Sequence, residues 1–245
     1  MIPERITRPE ARRLAEEEFR RFAELMSSLH PDEWELPTDC ALWNVRQMAL
    51  HVLGAADAQA SVKEFMHQMR RGRPLAKELA ESHHWVDGVN ELQIRERSHL
   101  ADDEIVEQLA TVGPRAVKGR FGTPLPMRYL PIPIGPPLGW KPLNYLLEVG
   151  FTRDVLVHRI DIAFATGREL ALTPEHEGRL IGDIVAEWAE LWDQPFELVI
   201  EGPAGGKYSY GVDGERVEMD AMQLVSVLAE HRESPGGVLA KTLPM

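Results

Sequence analysis

The stretch LLEVGFTRDVLVHRIDIAFATG, residues 146 to 167, is apolar enough for a protein interior, yet it carries Asp154, His158 and Asp161 at steps of four and three. Residues so spaced share one face of a helix, and with Leu147, Phe151 and Ala165 they form a stripe in which ionisable groups stand in line with apolar ones. An unpaired carboxylate in such a place costs several kcal/mol or shifts its pKa. The stripe therefore demands a partner, which is a metal ion, a cationic side chain or another hydrogen-bonding group. Some other element of the fold must bring it there.

Further helical patterns supply that element. Ala15, Phe19, Phe22, Met26 and Leu29 alternate steps of four and three, which predicts an amphipathic helix over residues 9 to 29, with Glu16, Glu17 and Glu18 on its solvated face. Asn44 and Gln47 have the N-cap and N3 spacing of a capping box and predict a second helix from about Val45 to about Arg70. Its stripe Met48, His51, Ala55, Ala58, Val62, Phe65 and Met69 is the inward face of a bundle helix, and it includes His51. Shorter patterns cover about 82 to 99 and about 102 to 118. The helix of the opening stripe runs from about Pro142 to Thr166, with Gly167 as C-cap, and Thr173-Pro174 starts one more that reaches about Trp192.

Two segments interrupt the helical pattern. TPLPMRYLPIPIGPPLGWKP, residues 123 to 142, holds seven prolines and excludes regular helix. Such a loop is either a crossover or a lid, and Met127, Tyr129 and Trp140 are its candidates for an apolar wall over the helix that follows. Beyond Pro195, FELVIEG, KYSYGV and RVEMD have strand composition, with hairpin signals at Gly205-Gly206 and Asp213-Gly214; AMQLVSVLAEH then reads as helix and VLAKTLPM as strand. The expected architecture is α+β: a helical bundle over 1–193 and a small α+β domain over 194–245, near the lower size limit for independent folding and so expected to pack on the helices.

Composition excludes several functions. The net charge of −12 disfavours binding to nucleic acid, which needs a basic face. The single cysteine, Cys40, excludes a disulfide framework and a cysteine-rich zinc finger, and it reads as structural. The first residues lack the apolar core of a signal peptide, and no apolar run is long enough to span a membrane, so a soluble cytoplasmic protein is expected.

In a bundle, metal sites form where facing helices converge, and His51 on one helix can meet Asp154 and His158 on another. Two imidazoles and one carboxylate with an open position suit zinc, and equally iron, nickel or manganese. The bland alternatives are core histidines with local partners and an Asp154 paired with arginine. Asp161 is open between ligand, orienting acceptor and arginine partner. Arg153 and Arg159 lie off the inward stripe, where they pair with surface acids, and His67, His83, His84 and His99 read as solvent-facing.

PTDCALWNVRQMALHVLGA, residues 37 to 55, resembles the Pro-Thr-x-Cys-x-x-Trp-x-Val-Arg-x-x-x-x-His signature of the mycothiol-dependent maleylpyruvate isomerases, a branch of the DinB-like bundles. RDVLVHRIDIAFATGR, residues 153 to 168, resembles the family's second motif, and HRESPGGVLAKTLPM, residues 231 to 245, resembles the end of its small sterol-carrier-like domain. The resemblance implies a DinB-like four-helix bundle holding a divalent metal, usually zinc, on His51, Asp154 and His158, with a low-molecular-weight thiol such as mycothiol at the open position. Where the family has Glu as the acidic ligand, this chain has Asp154, one methylene shorter. The implied chemistry is thiol-dependent isomerisation or S-transfer on a small anionic or electrophilic substrate. Two other classes stand beside it: a non-catalytic small-molecule-binding module with a structural metal or none, and a metal-dependent hydrolase.

Overall fold

The computed structural model describes residues 1–40, 43–79 and 84–243. The chain divides into two compact units, one formed by Ala15–Pro124 and the other by Met1–Leu14 together with Leu125–Met245. Helices and a small mixed sheet make it an α+β protein. Residues 41–42 of the first motif, and His83, lie outside the described residues.

The contiguous unit is helical. The helix α1 (Arg8–Ser27) enters it at Ala15 and buries Phe19, Phe22 and Met26, as its periodicity predicts. Glu18 is buried with them while Glu16 is exposed, so the acidic run is not wholly solvated; successive residues turn by about 100°, and three in a row cannot face one way. The predicted capping box opens α2 (Val45–Ala60): Asn44 Oδ1 accepts from the Gln47 amide at 2.8 Å, and Gln47 Oε1 accepts from the Asn44 amide at 3.0 Å.

The helix expected to continue to Arg70 is two helices. Ser61 leaves the helical region at φ −144°, and its hydroxyl accepts from the Glu64 amide to cap α3 (Val62–Leu75). The inward stripe stops at this break, and Val62 and Phe65 are exposed.

Next come α4 (Trp85–Arg97) and α5 (Asp102–Gly122). Within this unit α2 packs on α3, α4 and α5, and α3 packs on α4. The contact of α3 with α4 passes through glycine: a Cβ on Gly88 would lie 2.3 Å from the Gly72 carbonyl oxygen.

In the other unit, α6 (Leu125–Arg128) precedes two strands that the proline content of this segment hides, β1 (Pro131–Gly135) and β2 (Gly139–Pro142), paired as an antiparallel ribbon. A two-stranded ribbon has a free side on each strand, where a residue without an N–H forfeits no ladder bond. A short turn α7 (Leu143–Tyr145) and one π-helical turn, Leu146–Gly150, lead into α8 (Phe151–Thr166). Gly167 closes α8 at φ 66°, as expected of a glycine C-cap. A second π turn, Pro174–Gly178, opens α9 (Arg179–Trp192).

The strands β3 (Phe196–Glu201), β4 (Gly206–Tyr210) and β5 (Glu215–Asp220) form a sheet of order β4-β3-β5. Gly205-Gly206 forms the predicted hairpin of β3 with β4, but Asp213-Gly214 does not form a second one, because β5 runs parallel to β3 on its other edge. That pairing sets Val217 beside Leu198 and Met219 beside Ile200. Asp220 then caps α10 (Ala221–Leu228).

The segment read as a last strand instead contains a 3₁₀ turn, Gly237–Ala240, and inserts Val238, Leu239 and Leu243 into the core. One core joins Leu156 and Ile160 of α8, Ile184 and Trp188 of α9, Phe196 and Leu198 of β3, and Leu224 and Leu228 of α10. The boundary expected at 193 therefore falls inside this unit.

Between Thr152 and Ala163 every residue of α8 except Asp154 is buried. Arg153 and Arg159 are among them, and they meet buried acids in place of the surface acids expected. The Arg153 guanidinium donates to Asp183 Oδ2 and Glu187 Oε2, both at 2.6 Å, and Arg159 donates to Glu177 Oε1 at 2.7 Å. Arg5 reaches Asp183 Oδ1 at 2.9 Å, and the Tyr145 hydroxyl donates to Glu187 at 3.1 Å. Burial raises the pKa values of Asp183 and Glu187, but the charges of Arg153 and Arg5 outweigh it and hold both below the ordinary range.

Replacing Gly88 by alanine drives a Cβ into the backbone of α3 and is expected to destabilise the protein by ~1–3 kcal/mol. Gly122→Ala, with nothing within 4 Å of the new carbon, is expected to be neutral or stabilising by up to ~1 kcal/mol. Urea denaturation of the two variants beside wild type checks the pair.

Candidate metal centre

His51 sits on α2 and is 5% exposed. The first motif builds its surroundings. The Thr38 hydroxyl donates to the Trp43 carbonyl at 2.7 Å, the Trp43 ring lies 4.8 Å from the His51 ring, Val45 is fully buried, and Arg46 forms an ion pair with Asp102. These contacts fix the start of α2 and cover one face of the imidazole.

The other partner of His51 was not foreseen from its spacing. Nδ1 lies 2.8 Å from Gln93 Oε1; Gln93 Nε2 donates to Gln68 Oε1 at 2.8 Å, and Gln68 Nε2 donates to the Gly54 carbonyl at 2.9 Å. Gly54 permits this, since a Cβ there would lie 2.6 Å from Gln93 Cβ.

Asp154 and His158 lie one turn apart on α8, in the other unit, and the carboxylate Oδ1 is 3.4 Å from His158 Nε2. His158 is buried, while the Asp154 side chain keeps 25% of its exposure. Asp161 stands at the opposite edge of the ring, with Oδ2 3.7 Å from His158 Nδ1. Its closer partner is His231, whose Nδ1 is 2.7 Å from the same oxygen and whose ring stacks on that of His158 at 6.1 Å. Asp161 thus stands between His158 and His231, the latter a residue that no helical stripe reveals.

The electrostatics follow from this placement. Burial disfavours a charged His158, but the charges and hydrogen bonds of Asp154 and Asp161 outweigh it and push the imidazole up to about 9. Burial likewise opposes the Asp161 carboxylate, and His158 and His231 hold it below its ordinary pKa. The face of α8 that carries Asp154 and His158 thus favours positive charge.

The remaining candidates fall away. His67 pairs with Glu96 at 2.9 Å, and His84 and His99 are exposed. Met127, Tyr129 and Trp140 face solvent and do not form the wall expected of them; Leu138 of this segment enters the core, with Ile134 packed against it. Cys40 is half-buried and forms no disulfide.

A family model described as the mycothiol maleylpyruvate isomerase N-terminal domain matches residues 15–163, more than half of the chain, a span that includes His51, Asp154 and His158. The chain belongs to the mycothiol maleylpyruvate isomerase family. Two solved structures share its fold. A crystal structure of the mycothiol-dependent maleylpyruvate isomerase aligns at a TM-score of 0.58 and 15% identity, over 94% of this chain and 91% of that one. A mutant of the mycothiol-dependent maleylpyruvate isomerase aligns at a TM-score of 0.59 and 14% identity, over 93% of this chain and 90% of that one. No curated protein matches in sequence. Membership makes this chain a maleylpyruvate isomerase-like enzyme of mycothiol-dependent type, acting on a small molecule. Among the described residues no helix is long and apolar enough to cross a membrane.

The His158 pKa gives a signed prediction for this isomerase-family chain. Its folded value lies above the unfolded one, so the stability it contributes is fully present below about 6.5 and is lost as pH rises through about 9. In the presence of a chelator, the wild-type Tm is expected to fall across that window, and His158→Gln to lack the fall. Equal slopes in the two proteins would show that the imidazole does not hold a proton there.

Proposed function

We propose that His51, Asp154 and His158 bind one divalent cation, with zinc the simplest choice for this donor set, and that the enzyme uses it with mycothiol to isomerise, or add the intact thiol through its sulfur to, a small anionic or electrophilic substrate. The observation that carries the reading is the Asp154–His158 pair, which draws a proton to His158 Nε2, where a cation would otherwise sit. The set fits such an ion: two imidazoles and a carboxylate leave an open position on a four-coordinate metal. When bound, the ion lowers the pKa of a coordinated thiol, so that thiolate exists at neutral pH.

The chain's own residues divide the remaining work. Asp154, the one unburied residue of its stretch of α8, keeps the open side reachable from solvent. Asp161 and His231 hold the His158 ring from behind and stay out of the donor set, which argues against the inert module with a closed fourth ligand. Asp154 in place of the family's Glu reaches one methylene less far, which supports a reading that specifies the class of chemistry and leaves the substrate open.

Metal analysis by mass spectrometry tests the proposal. Wild-type protein from metal-supplemented medium is expected to carry close to one equivalent, and His51→Ala, Asp154→Ala and His158→Ala to lose it. Cobalt-substituted protein titrated with mycothiol should gain a near-ultraviolet thiolate-to-metal charge-transfer band. Folded wild-type protein without metal would sink the proposal.

A further inference from the structure

Two buried glutamine side chains and a backbone carbonyl run in line from the Nδ1 nitrogen of His51, and the line has a direction. We propose that Gln68 and Gln93 lock His51 in the tautomer with its proton on Nδ1 and its lone pair on Nε2. Gln93 is then a positioning residue for the cation site, a consequence that rests on the reading given above.

The direction is set at the far end. Gln68 Nε2 faces the Gly54 carbonyl at 2.9 Å and a Glu64 carboxylate oxygen at 2.8 Å, and both of these groups only accept. Burial favours the neutral form of Glu64, but hydrogen bonds from Gln68 and Arg97 hold its pKa below the ordinary value, so it stays an acceptor. The amide nitrogen of Gln68 must therefore lie on that side. Its oxygen then faces Gln93, which has to turn its own nitrogen toward it, at 2.8 Å. The Gln93 oxygen is left facing His51 Nδ1, also at 2.8 Å, and an oxygen there requires a proton on Nδ1. Reversing any link sets donor against donor or acceptor against acceptor. Gln68 is fully buried and Gln93 is 4% exposed, so water does not relieve the mismatch, which costs ~1–3 kcal/mol.

A purely structural role, in which two glutamines tie α2, α3 and α4 together, makes no statement about a proton. The tautomer separates the two accounts. Long-range ¹H–¹⁵N spectra of the full-length, chelator-treated protein, at a pH where the imidazole is neutral, assign the protonated nitrogen directly. Wild type is expected to show His51 protonated on Nδ1. Gln68→Leu, which leaves His51 and Gln93 intact but removes the anchor, is expected to show a mixture of tautomers. Gln93→Glu keeps an acceptor at Nδ1 and is expected to preserve the wild-type tautomer, although it sets a second acceptor against Gln68 Oε1 and is expected to be less stable.

Zinc affinity, measured by competition with a chromophoric chelator, should fall roughly 10-fold or more in Gln68→Leu and Gln93→Leu and less in Gln93→Glu. Wild-type His51 protonated on Nε2, or a folded Gln68→Leu with unchanged tautomer, would overturn the inference. Failure of wild type to bind zinc would instead strike the metal reading, and the spectra would still decide the tautomer.

Discussion

The buried ion pairs of Arg153 with Asp183 and Glu187 hold the rest of the second unit in place. They join α8 to α9, and through Arg5 they bind the first residues of the chain to the same acids. Such a cluster is a poor source of net stability, since desolvation takes back most of the Coulomb gain, but removing one member leaves an uncompensated charge inside the protein. Its value here is directional. Arg153 and Asp154 are consecutive and point about 100° apart, so clamping the first decides where the second aims. A helix buried on nearly all sides has no amphipathic face to orient it, and the ion pairs do that instead.

The two histidines are supported in different ways. His158 has carboxylates at both ring edges, Asp154 at Nε2 and Asp161 beyond Nδ1, and its environment selects for charge. His51 has a neutral amide at Nδ1 and an indole against its face, and its environment selects for proton position without adding charge. In both rings the group behind Nδ1 leaves Nε2 as the outward nitrogen. A carboxylate behind an imidazole makes it a stronger donor than an amide does, so His158 is the more basic of the two rings and His51 the less basic.

Much of this was legible in the residues, and the losses have definite causes. The capping box at Asn44, the glycine stop at Gly167, the start of the last long helix at Thr173 and the three strands after Pro195 follow from local chemistry, and the structure repeats them. The break at Ser61 was missed because the apolar spacing runs through it, although one serine hydroxyl is enough to restart a helix. Prolines concealed β1 and β2 because they exclude interior strands and not ribbons. The parallel placement of β5 on the far edge of β3 is a property of the assembled sheet that a local turn signal does not carry.

At the site, residues on a periodic stripe could be read and their supporters could not. His51, Asp154 and His158 stand at helical spacing, whereas Gln93 and His231 reach the two rings, and Gln68 reaches Gln93, from elements distant in sequence.

The second unit is discontinuous, and this bears on the order in which the chain becomes structured during synthesis. Residues 15–124 form one contiguous unit and can begin to pack as soon as they leave the ribosome. Arg5, made almost first, must wait for Asp183, 178 positions later. Throughout that interval the leading segment and α8 have acids and a core still to be made. Closure of the second unit is therefore the late event of biogenesis, and the surroundings of His158 on α8 are finished after those of His51 on α2.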